Sequence, residues 1–261
     1  MTWETLLERS HAPYSGRREV CLVVGETGCY PGVRIENAAF PLTIGALRGA
    51  VTSCLSQGDQ PRKIAIPSGR GAPSGAELRS WSHPREAAGP LPVERLASLP
   101  EDWAEAADRF AGQAVAEGDL HVDSEQPEWD VWRRERLGEL LERAVTPNSD
   151  FPVSCLLQTD RGLVTGVNVE VDDWSGGLCA ERVALHTALA IGAAPAGDLA
   201  VHAPKSQLCS PCGSCRQTLA EWPGIRRLLL YHGDGTSSQH RLRDLLPFQF
   251  HTSSLQNTDR A

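Results

Sequence analysis

The chain has 261 residues, 41% of them hydrophobic and 22% charged, which is the composition of a globular protein with room for one or two domains. Its formal net charge of −8 argues against a nucleic-acid groove, which needs clustered Lys and Arg, and no apolar run approaches the ~20 residues of a membrane span. The opening Met1-Thr2-Trp3-Glu4 lacks the charged and apolar regions of a signal peptide, so a cytoplasmic location is expected, with the eight cysteines as metal-bound or free thiols.

In chain order, the first informative segment is Leu6-Leu7-Glu8-Arg9, because it recurs as Leu140-Leu141-Glu142-Arg143, at an offset of 134 residues (140 − 6). The same offset maps Pro13 to Pro147, Cys21 to Cys155, Gly28 to Gly162, Gly32 to Gly166, Glu36 to Glu170, Ala46 to Ala180 and Arg48 to Arg182. After small insertions Ile64-Ala65-Ile66 matches Leu199-Ala200-Val201, and Pro73-Ser74-Gly75-Ala76-Glu77 faces Pro211-Cys212-Gly213-Ser214-Cys215. The chain is a tandem duplication, with a first copy over 1–103 ending at Leu99-Pro100-Glu101-Asp102-Trp103. Residues 104–128, rich in Ala, Gly, Glu and Asp, are expected to link the copies and to carry a helix over 104–116.

The second copy spans 129–252, and its pattern predicts an α/β unit. A helix over 132–145 precedes strands over 153–158 and 163–170, with a tight turn at Asp160-Arg161-Gly162. A helix from Cys179 runs to Ile191 and stops at Gly192. A buried strand at 199–201 follows, then a short helix opened by Pro211, then a strand at 228–231.

The two helix starts carry the chemistry. Cys179-Ala180-Glu181-Arg182 and Pro211-Cys212-Gly213-Ser214-Cys215 supply three thiolates, enough to hold a tetrahedral Zn²⁺ with its fourth position open for water. A helix N-terminus favours the thiolate form. Glu181, two residues beyond the first ligand, can carry protons to and from that water. A closed structural knot would need a fourth ligand, for which Cys209 is the candidate. Arg182 is placed to donate hydrogen bonds to thiolate sulfur and offset the net −1 charge of such a site. The alternative is a surface helix arginine, and the matching Arg48 favours that alternative. In the first copy the ligand positions hold Gly45, Ser74 and Glu77, and the Glu181 position holds Leu47, so one zinc per chain is expected and the first copy reads as a scaffold. Cys21, Cys29, Cys54 and Cys155 read as core thiols.

The Cys-x-Glu and Pro-Cys-x-x-Cys pair is the signature of zinc-dependent nucleobase deaminases. Together with Pro147-Asn148-Ser149-Asp150-Phe151-Pro152-Val153, Asn168-Val169-Glu170 and the tail Leu245-Leu246-Pro247-Phe248-Gln249-Phe250, it resembles the nucleoside cytidine deaminases. The first copy is similar through Ala12-Pro13-Tyr14-Ser15-Gly16 and Glu36-Asn37-Ala38-Ala39-Phe40. The resemblance implies, for each copy, a mixed five-stranded sheet covered by helices, and hydrolysis of cytidine and deoxycytidine to the uridines with release of ammonia. It implies that the partner is a small pyrimidine nucleoside, with Phe151 stacking on the ring, Asn168 and Glu170 bonding the ribose hydroxyls and Ala180 touching the substrate. Members of that family assemble as tetramers whose sites borrow residues from neighbouring subunits. By that resemblance Ala38, Phe40, Trp103 and Phe250 are the candidates for donated contacts, in a pseudo-fourfold homodimer with two working sites. Val171-Asp172-Asp173-Trp174, where the family carries Asn-Ala-Ser and an aromatic, and Asn148 in place of its Tyr, are departures that bear on the substrate. The competing readings are a deaminase of a modified or amino-nucleoside, a zinc-stabilised nucleoside-binding pseudoenzyme, and, disfavoured by the acidic balance, a polynucleotide editor.

Overall fold

Runs of Val, Leu and Cys near the start of each copy form matching antiparallel hairpins, β1 (Val20–Gly25) with β2 (Cys29–Val33) and β6 (Ser154–Thr159) with β7 (Gly162–Val167). The computed structural model describes residues 1–81, 90–116, 127–250 and 255. The middle of the expected linker, 117–126, and the end of the second copy, 251–252, lie outside the described residues. In the first sheet, β3 (Pro61–Pro67) pairs antiparallel with β1 and β4 (Val93–Leu96) parallel with β3, giving the order β2-β1-β3-β4. The second sheet runs β10-β9-β8-β6-β7-β5, with β8 (Pro195–His202) parallel to β9 (Ile225–Tyr231), β10 (Ser237–His240) at one edge and β5 (Val115–Ala116) at the other.

Five strands were expected in each copy. The second copy has its five, β6 to β10, joined by β5 from the expected linker, and the first has four among the described residues. The difference has a local cause. After β9 the chain turns back through Gly235, whose φ of +87° suits glycine, and pairs again as β10. After β4 it enters α4 (Glu101–Gln113) through Pro100.

That helix overlaps the one expected over 104–116 and packs into the core. Ala107, Phe110 and Ala111 form a buried face on α4, and Phe110 meets Tyr30 edge-on at 4.8 Å between ring centroids. A segment of alanines and acids is core here because its few apolar residues recur at helical spacing. Trp103 lies on the same helix, packs against the first copy's core and carries Lys63 over its ring at 5.1 Å.

The remaining helices are α1 (Trp3–Arg9), α2 (Ala46–Ser56), α3 (Gly75–Trp81), α5 (Pro127–Leu140), α6 (Ala180–Ala190) and α7 (Gly213–Leu219). The expected helix over 132–145 begins earlier, at Pro127, and its last turn tightens to a 3-10 turn over Leu141–Arg143. α7 starts at Gly213, so Pro211 stands ahead of the helix and not inside its first turn.

The copies meet where α2 packs on α6, and the contacts obey the repeat. Arg182 of α6 reaches the Leu42 carbonyl at 2.8 Å, while Arg48 of α2 reaches the Gly177 carbonyl at 2.5 Å and that of Ser175 at 3.2 Å. Ser56 accepts the Val167 amide at 3.1 Å, and His186 accepts the amide of Val33, the residue matching Val167, at 3.4 Å through Nε2. The His186 ring lies against α2, and a Cβ on Gly49 would fall 2.0 Å from its Nε2. With Nε2 accepting, Nδ1 carries the proton and bonds Ser53 Oγ at 3.2 Å, so the buried imidazole is satisfied only when neutral.

Burial accordingly lowers the His186 pKa from 6.5 to about 4. The unfolded chain then takes up the proton first, so this contribution to stability is complete above pH ~6.5 and lost as pH falls toward 4, by about 3 kcal/mol in all. Urea unfolding followed from pH 7 to pH 4 should show a falling midpoint in the natural protein and a flatter profile in His186→Gln; equal slopes would remove His186 as the cause.

Candidate active site

Cys179 is the N-cap of α6, in extended conformation (φ −68°, ψ 155°), and its carbonyl accepts the amides of Arg182 and Val183 at 3.0 Å each. Just before it, Leu178 exchanges both backbone hydrogen bonds with Val169 at 2.9 Å, which ties the helix head to the chain leaving β7. The helix comes this close because β7 offers a glycine. A Cβ on Gly166 would lie 2.4 Å from the Ala180 carbonyl oxygen and 2.7 Å from the Ala184 nitrogen. The second arm arrives beyond β8. Cys212 caps α7, its sulfur accepting the Cys215 amide at 3.5 Å, while Arg216 Nε holds the Pro211 carbonyl at 2.9 Å. Proline thus shapes the approach and the cysteine itself makes the cap.

The two arms bring Cys179, Cys212 and Cys215 together, with all three sulfurs within 4.8 Å of one another and the first two 3.7 Å apart. Tetrahedral zinc–sulfur bonds of ~2.3 Å place sulfurs about 3.8 Å apart, which the Cys179–Cys212 pair already matches. Cys209 is not a fourth member: it is buried, with its thiol toward the Val201 carbonyl at 3.9 Å. Among the described residues the group that could hold a metal consists of these three cysteines. Hydrogen bonds from the thiols of Cys179 and Cys215, joined by the amides of Cys215 and Ser214, hold Cys212 far below the ordinary thiol range. Cys179, donating to that thiolate, is pushed up to about 12. These contacts favour the thiolate at Cys212, in a donor set suited to exchange protons for a metal. Glu181, buried beside it, has its carboxyl raised by burial to about 7.

Glu181, Cys179 and Cys212 open into a cavity of about 740 Å³ that is also lined by Phe151, Asn168, Glu170, Trp174, Leu208 and Arg182. The sequence-predicted substrate residues therefore converge on the sulfur trio, with Ala180 fully buried in the helix head behind them. The Asn168 amide grips the strand that carries Phe151, accepting from the Val153 amide at 2.8 Å and donating to the Phe151 carbonyl at 2.9 Å. The Glu170 carboxylate clasps the turn before Phe151. It accepts the amides of Asn148 at 2.9 Å and Ser149 at 3.1 Å together with the Ser149 hydroxyl. Glu36 does the same for Tyr14 and Ser15 in the first copy, at 3.0 Å each, so this clasp is common to both copies.

The first copy closes both halves of the corresponding site. Glu77 swings under Gly45, where an added Cβ would lie 2.2 Å from Oε1, and that oxygen accepts the amides of Leu47 at 2.8 Å and Arg48 at 3.1 Å. Where the second copy has Phe151 and Asn168, the first has Arg17 and Arg34, which lie 2.7 and 3.3 Å from the buried carboxylate of Glu19.

Three placements were not legible in the sequence. Arg48, expected at the surface, lines the catalytic cavity of the other copy, and its Nε and that of Arg182 are both buried without a partner. Burial, then the neighbouring Arg182, lowers Arg48 to about 10, and Cys179 and Glu77 act in the opposite sense. Asp150, beside Phe151, adopts φ +51° and pairs with Lys205 at 2.7 Å; the signal that could have marked this turn is Gly16 at the matching position, with φ +69°. Of the expected donated contacts, none lines this cavity within the chain. Trp103 is engaged in its own copy, and the Ala38 amide donates to Glu221 at 2.7 Å. Phe40 is 83% exposed and Phe250 47%, its carbonyl accepting from Gln217 at 3.1 Å.

Residues 127–232 match the family described as the cytidine and deoxycytidylate deaminase zinc-binding region, and residues 5–66 match a second family of the same description. A protein of Mycoplasma genitalium named cytidine deaminase is 32% identical over 117 residues, 44% of this chain and 90% of that relative. One of Sporosarcina psychrophila with the same name is 36% identical over 116 residues, 44% of this chain and 85% of that relative. The solved cytidine deaminase of Burkholderia pseudomallei is 34% identical, covering 44% of this chain and 94% of its own, with a TM-score of 0.42. Elemental analysis of the purified chain should find one zinc, and Cys179→Ala should lose it together with several degrees of thermal stability, since ligand loss uncouples metal binding from folding. Two zincs, or zinc retained by Cys179→Ala, would contradict the ligand set.

Proposed function

The chain belongs to the zinc-dependent cytidine deaminases, and we propose that it hydrolyses cytidine and deoxycytidine to uridine and deoxyuridine with release of ammonia, in pyrimidine salvage. The observation that carries this reading is the meeting, in one cavity, of three cysteine sulfurs at zinc-binding distance, a buried carboxylate and an aromatic ring. Cys179, Cys212 and Cys215 would hold one zinc per chain, and the metal when bound supplies an acidified water as nucleophile. Glu181 takes a proton from the attacking water, delivers it to the ring nitrogen and later assists departure of the amino group as ammonia. Phe151 stacks on the pyrimidine, whereas Ala180, whose side chain is buried in the helix head and does not line the cavity, would meet the base only through its backbone. Asn168 holds the Phe151 strand with one donor and one acceptor of its amide, which leaves one hydrogen and one lone pair for a ribose hydroxyl. Glu170 has less to spare, because its carboxylate already clasps the turn at 148–149.

Trp174, 66% exposed on the cavity rim where the family carries Tyr or Phe, favours a second reading with a substrate modified on the base or sugar. Ammonia release measured over cytidine, deoxycytidine and amino-modified analogues separates the two readings. Activity on none of them in zinc-loaded protein would leave a nucleoside-binding pseudoenzyme.

Glu181→Gln should retain zinc and bind nucleoside while turnover falls by ~10²–10⁴ or more, because the amide keeps shape and hydrogen bonding but cannot carry the proton. Full activity in that variant would remove Glu181 from the reaction.

The rings of Phe40 and Phe250 project to solvent, which supports a homodimer in which each ring completes a site in the partner. The expected mass in solution is twice that of the chain, and Phe40→Ala should raise KM more than it lowers kcat. An active monomer would refute this arrangement.

A further inference from the structure

We propose that Arg48, supplied by the degenerate copy and held by Glu77, is a positioning residue for the zinc site of the other copy. The inference rests on the function proposed above but stands on separate geometry. Arg48 and Arg182 occupy matching places in the first turns of α2 and α6, and each crosses to the other copy. Their targets differ in consequence. Arg182 ends on Leu42, in a turn that leads to no ligand, since the residue capping α2 is Gly45. Arg48 ends on the carbonyls of Ser175 and Gly177, at 3.2 and 2.5 Å, in the segment that runs directly into Cys179 and forms one wall of the cavity. One guanidinium bridging two carbonyls two residues apart fixes the curvature of that segment, and with it the approach of Cys179 to the other two sulfurs.

Arg48 is itself held from behind. The head of α2 has lost the cysteine that heads α6, and Glu77 fills the gap. Its Oε1 accepts the Leu47 and Arg48 amides, at 2.8 and 3.1 Å, in the space a Gly45 side chain would need. The same N–H groups would otherwise stay unpaired at a half-buried helix start. Glu77 therefore acts on the zinc site only through Arg48, and its contribution should vanish when Arg48 is changed.

The test is a double-mutant cycle on the full zinc-loaded chain, read as the rate of zinc transfer to a chromophoric chelator, with cytidine turnover measured alongside. Arg48→Gln should speed zinc transfer about tenfold or more and Glu77→Ala by a smaller factor, and the double variant should match Arg48→Gln alone. Glu77→Gln, which keeps an acceptor oxygen, should behave as the natural protein. Leu55→Ala, which loosens the core shared by the two copies about two turns along α2 from Arg48, should unfold more easily yet release zinc at the natural rate. Multiplying effects of Arg48→Gln and Glu77→Ala, an unchanged rate in Arg48→Gln, or fast release from Leu55→Ala would each overturn the proposal. Should Arg48→Gln fail to fold, Arg48→Lys, which keeps the charge but offers a shorter side chain without the planar guanidinium, takes its place with an intermediate rate expected and a natural rate overturning. Because zinc transfer is read without substrate, a chain that deaminates no cytosine nucleoside would defeat the proposed function and leave this result standing.

Discussion

The site depends on how closely the head of α6 can lie against β7. With Gly166 in the strand, the carbonyl of Ala180 occupies space that any side chain at residue 166 would take, since its Cβ would come within 2.4 Å. A backbone-on-backbone contact in a close-packed interior leaves the helix head almost no freedom. Cys179 just before it and Glu181 just after it inherit that rigidity, one sulfur turned to the cavity and one carboxylate buried beneath it. The same contact is present in the first copy, where a Cβ on Gly32 would fall 2.1 Å from the Ala46 oxygen, although that copy has neither cysteine nor acid to position. The constraint belongs to the fold, and the chemistry is an addition to it.

A helix head emptied of its ligand still presents unpaired amides and a positive dipole end to whatever fills the gap. The degenerate copy answers with Glu77, a residue standing where the other copy has Cys215. A carboxylate is longer than a thiol, which is why Gly45 cannot carry a side chain of its own. Leu47, at the position of Glu181, is fully buried and needs no partner. At the positions of Phe151 and Asn168, Arg17 and Arg34 pair with Glu19, so this copy has ion pairs and a helix cap where the other has its cavity residues and sulfurs.

The repeat register made the architecture legible in the sequence, and the cysteine spacing marked the three sulfurs that the fold brings together, because both are set by local pattern. The partners of Asn168 and Glu170 were not legible. Both side chains satisfy neighbouring backbone before any ligand arrives, and nothing in residue type separates a ribose contact from a turn clasp. The role of α4 was hidden by composition, since three apolar residues on one face suffice to make an acidic, alanine-rich segment part of the core. Arg48 was misjudged for a physical reason: its place in a copy without a metal says nothing about which way a long side chain crosses an interface. The pairing of α2 with α6 that sends it into the other copy is tertiary, and no spacing records it.

The duplication permits an argument by subtraction that a single domain would not. Features present in both copies serve the fold: the strand glycines, the turn clasps of Glu36 and Glu170, and the bridges Ile35 to Ile44 and Val169 to Leu178. Features confined to the second copy are free to serve chemistry: the sulfur trio, Glu181, Phe151, Asn168 and the pairing of Lys205 with Asp150 beside Phe151. By this division Asn168 is the stronger candidate for recognising a sugar, since its counterpart Arg34 is turned to ion pairs with Glu19 and Glu36. Glu170 must hold the turn whether or not a substrate is present. Losing its carboxylate should therefore loosen the strand carrying Phe151 as well as any hydroxyl contact.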